Sequence, residues 1–150
     1  MLQQDIPDDY VIGSGESHSV REFVENSFEY VGIEIEWKGE KEKEIGIVKS
    51  INNKFKSDIN VGDVLIEVDS KYFRPTEVEH LCADISKAKK NLDWEPRITF
   101  TELIKIMIDY DMKILDLETP GLGEKISKEK GFGYTNHIFS SHSNITEEKR

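Results

Sequence analysis

The sequence is short of cysteine, of basic residues and of long apolar runs, and each shortage excludes a class of protein. Cys82 is the only cysteine among 150 residues, so neither an internal disulfide nor a cysteine-based zinc site is available. The net charge of -10 argues against nucleic-acid and anionic-membrane partners, which require clustered Lys and Arg. No apolar run approaches the roughly 20 residues of a membrane helix, and residues 1–5 lack the features of a secretory signal. A cytoplasmic protein is therefore expected.

The remaining chemistry-bearing residues suggest neither a metal site nor a catalytic group. The four histidines show no metal-ligand spacing and no order relative to Ser or Cys that indicates nucleophilic catalysis. Cys82 is interpreted as a small buried residue. No catalytic residue and no metal ligand is predicted.

Residues 71–79 form the most informative stretch that is present. Arg74 follows two aromatic residues, precedes a proline, and lies close to the carboxylates of Glu77 and Glu79. Its guanidinium is a planar fork of donors that matches phosphate oxygens. Pro75 restricts Arg74 to an extended backbone and suits a helix start. An ion pair between Arg74 and either glutamate on a solvated turn remains the alternative to a phosphate site.

The N-terminal third predicts half of a βα unit. The apolar run at residues 10–12 ends at Gly13 and indicates a buried strand. Residues 19–22 fit a capping box, which predicts a helix starting at Ser19 and ending near Gly32. The predicted buried face of this helix consists of Val20, Phe23, Val24, Phe28 and Val31.

The rest of the pattern predicts an α/β domain. Strands are expected at 33–37, 45–51 and 64–68, and a short helix at 84–92. A capping box at Thr99 opens a longer helix, whose apolar side is formed by Leu103, Ile104, Met107, Ile108 and Leu115. Residues 119–150 show no period, so we expect a domain at 1–118 and a disordered or loosely attached tail at 119–150.

Two segments together suggest a family. These are Ser-Val-Arg-Glu-Phe-Val at 19–24 and Tyr-Phe-Arg-Pro-Thr-Glu-Val-Glu at 72–79. With the shorter matches around them, they make the chain from Asp9 to about Met112 resemble the C-terminal part of GDP-mannose 4,6-dehydratases, which are extended short-chain dehydrogenases/reductases. The resemblance covers about two-thirds of the chain.

The resemblance implies a fold and a set of site residues. The fold would be one terminal strand-helix unit of a Rossmann sheet followed by a small α+β lobe. Arg74 would contact the GDP diphosphate and Glu77 the ribose hydroxyls, while Tyr72 would flank the nucleotide. Tyr72 or its neighbour packing into the core is the alternative. Arg21 is a further substrate-binding candidate for a different reason. A basic residue in the first turn of a helix is mildly unfavourable unless a ligand or an acidic partner compensates. An ion pair with Glu25 is the alternative.

Two family features are missing from the sequence. Full-length members use NADP, held on a Gly-x-x-Gly-x-x-Gly turn, and a Tyr-x-x-x-Lys pair. Neither pattern occurs here, and the resemblance implies that residues 1–4 correspond to an interior stretch of the full enzyme. We therefore expect a truncated substrate-recognition fragment, without a cofactor of its own, that binds GDP-mannose or a related GDP-sugar weakly and is inactive alone. The alternatives are a non-enzymatic module that pairs with a full-length enzyme, an N-terminal half-chain or its own copy, and a weak nucleotide-sugar-binding remnant.

Overall fold

The computed structural model describes residues 4–52, 58–74, 76 and 80–131, and it has the α/β composition that the pattern predicts. In chain order the elements are α1 (Val20–Tyr30), β1 (Ile33–Lys38), a 3-10 turn (Lys41–Lys43), β2 (Ile45–Ile51), β3 (Val64–Glu67), α2 (Ser86–Leu92), α3 (Phe100–Ile114) and α4 (Leu122–Glu129). None of the helices in these ranges combines the length and apolar character that crossing a membrane requires.

The three strands form one antiparallel sheet in the order β1-β2-β3. All three predicted strands are confirmed. Ile33 and Val48 are buried on the side of the sheet where α1 packs against β1. Gly46 pairs with Trp37 on this face. A side chain at Gly46 would come within 3.1 Å of both Ile35 and Ile66, so a larger residue here would require these side chains to shift.

The strand predicted at residues 10–12 is wrong, and with it the strand-helix unit. Among the described residues the segment pairs with no strand, and an isolated strand leaves its backbone groups without ladder partners. The segment instead runs beside the α2 region. Lys87 makes an ion pair of 2.6 Å with Asp8 and lies 5.1 Å from the ring centroid of Tyr10. Only the helical half of the predicted unit, α1, is present.

Helix α1 begins where predicted. Ser19 Oγ accepts a hydrogen bond from the Glu22 N–H at 3.0 Å, and Gly32, with φ of +80°, follows the helix end. The predicted apolar face is only partly buried. Val20 is 80% exposed, whereas Ser27 is the buried residue of the helix. Val20 belongs to the first turn, where Arg21 and Phe23 make the contacts with Trp37 and Phe100 instead.

Helix α3 shows the predicted capping box in full. Thr99 Oγ1 accepts from the Glu102 N–H at 3.3 Å, and the Glu102 carboxylate accepts from the Thr99 N–H at 2.9 Å. Its apolar side, however, is divided. Ile104 is 1% exposed, but Leu103, Met107 and Leu115 are exposed. The buried line of α3 is set by its contacts with α1 and α4, which leave these three side chains outside.

Helix α4 contradicts the predicted loose tail over residues 122–129. It packs against α3 so closely that a side chain at Gly123 would lie 2.0 Å from the carbonyl oxygen of Lys105. Gly123 and Ser127 are the buried residues of α4, and their small size permits the approach. The apolar pattern does not reveal this helix because its buried residues are small. Residues 132–150 lie outside the described ranges, so the prediction for them stays a prediction.

Candidate functional site

The predicted phosphate site follows β3 on a turn organised by Asp69. The backbone carbonyl of Asp69 accepts from the N–H groups of Tyr72 at 2.9 Å and Phe73 at 3.2 Å, and its carboxylate accepts from the Lys71 N–H at 2.9 Å. Tyr72 is 70% exposed and Arg74 is exposed. The turn therefore presents two of the predicted site residues to solvent, and Phe73 rather than Tyr72 is the partly buried aromatic.

The same turn carries two basic side chains beside the carboxylate of Asp69. Lys71 Nζ lies 5.3 Å from the ring centroid of Tyr72, and Arg74 follows two residues later. Two cations beside an exposed ring suit a ligand that carries both phosphate groups and a planar base. Glu77, the predicted ribose contact, and Glu79, the alternative ion-pair partner of Arg74, lie outside the described residues.

Arg21 is placed in a different cluster. Its guanidinium lies 4.3 Å from the ring centroid of Trp37 and forms an ion pair with Glu44. Trp37 Nε1 donates to Glu25 at 2.7 Å, so Trp37 occupies the carboxylate that was considered as a partner for Arg21. In the part of the chain that the structure describes, no hydrogen bond, ion pair or ring contact joins Arg21 to Tyr72 or Arg74. The described residues therefore show no contact that brings Arg21 into one site with Tyr72 and Arg74.

The glycine-rich segments do not fit a pyrophosphate turn. Gly13 packs against Ala83, where a side chain would come within 2.8 Å of the Ala83 Cβ, and Gly15 packs against Ile85. The N–H groups around Gly121 and Gly123 already donate to side chains of the protein.

Cys82 differs from its predicted burial. It is exposed, and its thiol lies 3.2 Å from the carbonyl oxygen of Gly15, so it joins the two loops that precede α1 and α2. Within the described ranges no group of three or more His, Cys, Asp or Glu side chains is arranged to hold a metal ion.

His18 forms a clamp at the start of α1. Its ring stacks on Phe100 with centroids 3.7 Å apart, Nδ1 lies 3.0 Å from the Glu22 carboxylate, and Nε2 lies 3.3 Å from that of Glu16. The hydrogen bond with Glu22, followed by that with Glu16, raises the pKa of His18 above its ordinary value. His18 thus ties the N-terminus of α1 to that of α3.

A polar pair between α1 and α3, with Asp109 buried and Tyr30 partly buried, was missed by sequence reasoning. Tyr30 Oη donates to the Asp109 carboxylate at 3.0 Å, and Asp109 is only 2% exposed. Burial, together with the hydrogen bond to Asp109, raises the pKa of Tyr30 to about 12. The first turn of α4 donates four backbone N–H groups to this pair, those of Gly121, Leu122, Gly123 and Glu124. The sequence signal for this pair was Asp109, an aspartate within the apolar run of α3, because a buried carboxylate needs a hydrogen-bond partner.

A groove of about 740 Å³ lies beside α1 and β1, and its charge argues against a nucleotide. Among the described residues its lining includes Glu25, Glu29 and Glu34 but no basic residue. The pKa of Glu34 is held below its usual range by Lys49 and Ser50, so this carboxylate stays charged at neutral pH. The carboxylates of this groove would repel a diphosphate, so the turn that carries Arg74 is the better candidate for a nucleotide site.

Comparison with known proteins gives one consistent family. Residues 1–107 match a family model described as GDP-mannose 4,6 dehydratase. The GDP-mannose 4,6 dehydratase of Homo sapiens is 46% identical over 115 residues, which are 77% of this chain and 28% of that protein. That of Yersinia enterocolitica is 45% identical over 113 residues, which are 75% of this chain and 30% of that protein. The chain thus spans less than a third of the length of these curated relatives. The predicted resemblance is confirmed: this chain belongs to the GDP-mannose 4,6-dehydratase family.

Proposed function

We propose that this chain is the GDP-sugar-recognition part of a GDP-mannose 4,6-dehydratase. Arg74 binds the diphosphate, Glu77 the ribose hydroxyls, and Tyr72 flanks the nucleotide. The observation that carries the proposal is the Asp69-organised turn, which holds Tyr72 and Arg74 exposed within the region that matches the family.

The physical basis is electrostatic and geometric. A diphosphate offers oxygens to a planar guanidinium fork, and the ammonium of Lys71 adds a second positive charge on the same turn. The exposed face of Tyr72 is available to the base or the ribose. GDP-mannose is the proposed ligand because the family is named for it.

Arg21 has a conditional place in this proposal. Its guanidinium already contacts Glu44 and Trp37, so binding a ligand phosphate requires it to exchange Glu44 for the ligand. We therefore expect Arg21 to contribute less to affinity than Arg74.

We further propose that the chain alone does not turn over GDP-mannose. Full members of the family use NADP as hydride carrier and need an acid/base pair. None of the five tyrosines here precedes a lysine by four residues, and the glycine segments do not fit the cofactor's pyrophosphate. Incubation of the pure chain with GDP-mannose and NADP should yield no GDP-4-keto-6-deoxymannose; measurable product would refute this part of the proposal.

Calorimetric titration with GDP-mannose, GDP and GMP tests the binding site. Loss of a hydrogen bond to a charged group costs about 1.5–3 kcal/mol, so Arg74→Ala should weaken GDP binding by roughly 10-fold to 100-fold. GMP, which lacks the diphosphate, should be affected less. Lys90→Ala, which removes an exposed charge on α2, is the matched control. Equal affinities of the Arg74 and Lys90 variants for GDP would contradict the assignment.

A second candidate function, association with an N-terminal portion of the same family, is favoured by one surface. Ile6, Val11, Ile12 and Leu81 are exposed apolar residues on two loop segments that pack together through Gly13 and Ala83. Such a patch is typical of a protein contact. Size-exclusion chromatography with and without the N-terminal portion of a relative tests it, with Val11→Asp as the disrupting variant. Elution of the chain as a monomer, both alone and with the added portion, would exclude this pairing and self-association.

A further inference from the structure

The N-terminal N–H groups of α4 are capped by side chains of α1 and α3 rather than by a side chain of its own N-cap residue. Its N-cap is Gly121, which has a φ of +82° and no side chain to accept a hydrogen bond. The acceptors come instead from Asp109 of α3, which receives the N–H groups of Gly121 at 3.3 Å and Glu124 at 3.0 Å. Tyr30 Oη of α1 receives those of Leu122 at 3.1 Å and Gly123 at 3.2 Å. A carboxylate is therefore held at the positive end of the α4 dipole.

The remaining attachment of α4 is weak in apolar terms. Its buried residues are Gly123 and Ser127, whereas Leu122 is 51% exposed. Ile126 is half-buried, so the apolar surface that α4 itself removes from water on docking belongs mainly to one side chain. A helix of eight residues is also marginal when isolated. The hydrogen bonds to Tyr30 and Asp109 thus attach the first turn of α4 to α1 and α3.

Ion pairs at the periphery add little to this attachment. Lys113 Nζ lies 3.5 Å from the Glu124 carboxylate, and Lys130 Nζ lies 3.5 Å from that of Glu102. Both lysines are at least 40% exposed, and ion pairs of this kind contribute little in water.

We propose that α4 is a releasable latch, held closed by the Tyr30–Asp109 pair, which undocks as a unit while α1, α3 and the sheet remain folded. Opening exposes Tyr30 and Asp109 to water, so neither is left buried without a partner, and the free energy of opening stays below that of global unfolding. Opening also widens a cleft of about 280 Å³ between α1 and α3, because Tyr30 and Lys105 line the cleft and both contact the first turn of α4.

The latch does not depend on the proposed GDP-sugar site. Helix α4 lies beyond residues 1–107, which match the family model, and in the described part of the chain its main contacts are with α3 rather than with the turn that carries Arg74.

Amide hydrogen exchange of the full chain, followed by NMR, tests the latch. The N–H groups of the first helical turn usually have no intrahelical partner, yet here those of residues 121–124 should be protected. Because these hydrogen bonds involve a carboxylate, Asp109→Asn should reduce their protection by roughly tenfold or more. Tyr30→Phe, which removes two acceptor contacts, is a milder second variant. Asp111→Asn, at an exposed position of the same helix, is the control and should leave protection unchanged.

The reporter for the rest of the fold is the amide of Val48, which donates to Asp63 within the sheet region. In the unmodified chain, the amides of residues 121–124 should exchange faster than the amide of Val48. The Tyr30 and Asp109 variants should raise the exchange rates of residues 121–124 and leave that of Val48 unchanged. Exchange of both groups at one common rate in the unmodified chain would overturn the latch, even where the Asp109 variant fails to fold. Unchanged protection of residues 121–124 in Tyr30→Phe would overturn the role of the pair.

Discussion

Two adjacent residues of α3 separate what the apolar pattern predicts from what packing determines. The pattern places Leu103 and Ile104 on the same apolar side, but the structure leaves Leu103 46% exposed and Ile104 only 1% exposed. Truncation of each to alanine should therefore have unequal consequences for the free energy of unfolding.

The expected magnitudes follow from burial. Each variant loses three carbon atoms, and at about 0.8 kcal/mol for each buried carbon the transfer cost for Ile104→Ala is roughly 2.4 kcal/mol. The cavity left at a fully buried site adds to this, and the total should fall at about 3–4 kcal/mol, within the range for such truncations. Leu103 is about half exposed and leaves no closed cavity, so Leu103→Ala should cost roughly 1 kcal/mol.

Urea unfolding followed by tryptophan fluorescence and circular dichroism measures both variants. The free energy of unfolding of a single domain is typically about 5–15 kcal/mol. Ile104→Ala should therefore shift the midpoint urea concentration markedly, while the dependence of the free energy on urea stays unchanged. Equal losses for the two variants would refute the assignment of the buried face of α3. A larger loss for Leu103→Ala would show that its exposed side is covered by something outside the described residues.

Three further perturbations follow from single contacts. Thr99→Ala removes the capping box of α3 and should cost about 1 kcal/mol, measured by thermal unfolding; an unchanged midpoint would count against the cap. The pKa of Tyr30 is raised to about 12, so the stability that its protonated hydroxyl contributes is complete below pH of about 10 and is lost as the pH rises through about 12; alkaline titration should show this loss in the unmodified chain but not in Tyr30→Phe. The pKa of His18 is raised chiefly by Glu22, so Glu22→Gln should lower it toward 6.5 in an NMR titration, and the stability that His18 contributes should be present below pH 6.5 and lost as the pH rises through the raised pKa.

Local signals in the sequence predicted the helices and strands that depend on neighbouring residues. Capping residues such as Ser19 and Thr99 mark helix starts because they satisfy N–H groups only three residues away. The alternating and apolar runs at β1, β2 and β3 likewise match the period of a strand. Residues 10–12 have the same local appearance but form no strand, because a strand also needs a neighbour in space.

The candidate site shows the same division between local and distant information. The residue types around Arg74 suggest phosphate recognition, and the Asp69 turn presents them to solvent. The engagement of Arg21 with Glu44 was not predictable, because 23 positions separate the two residues. The partners of Asp109 were equally hidden, since Tyr30 lies 79 positions away.

The sequence by itself determined the family, the α/β class, three strands and the starts of α1 and α3, because each is encoded by neighbouring residues or by shared motifs. Tertiary structure alone decided which apolar residues are buried, that residues 10–12 stay unpaired, and that part of the expected tail is a docked helix. The physical reason is that burial and long-range hydrogen bonds depend on what packs beside a residue. For α4 that contact is a small glycine against the backbone of α3 and a carboxylate at its N-terminus, and neither has a local period that a pattern of apolar residues reveals.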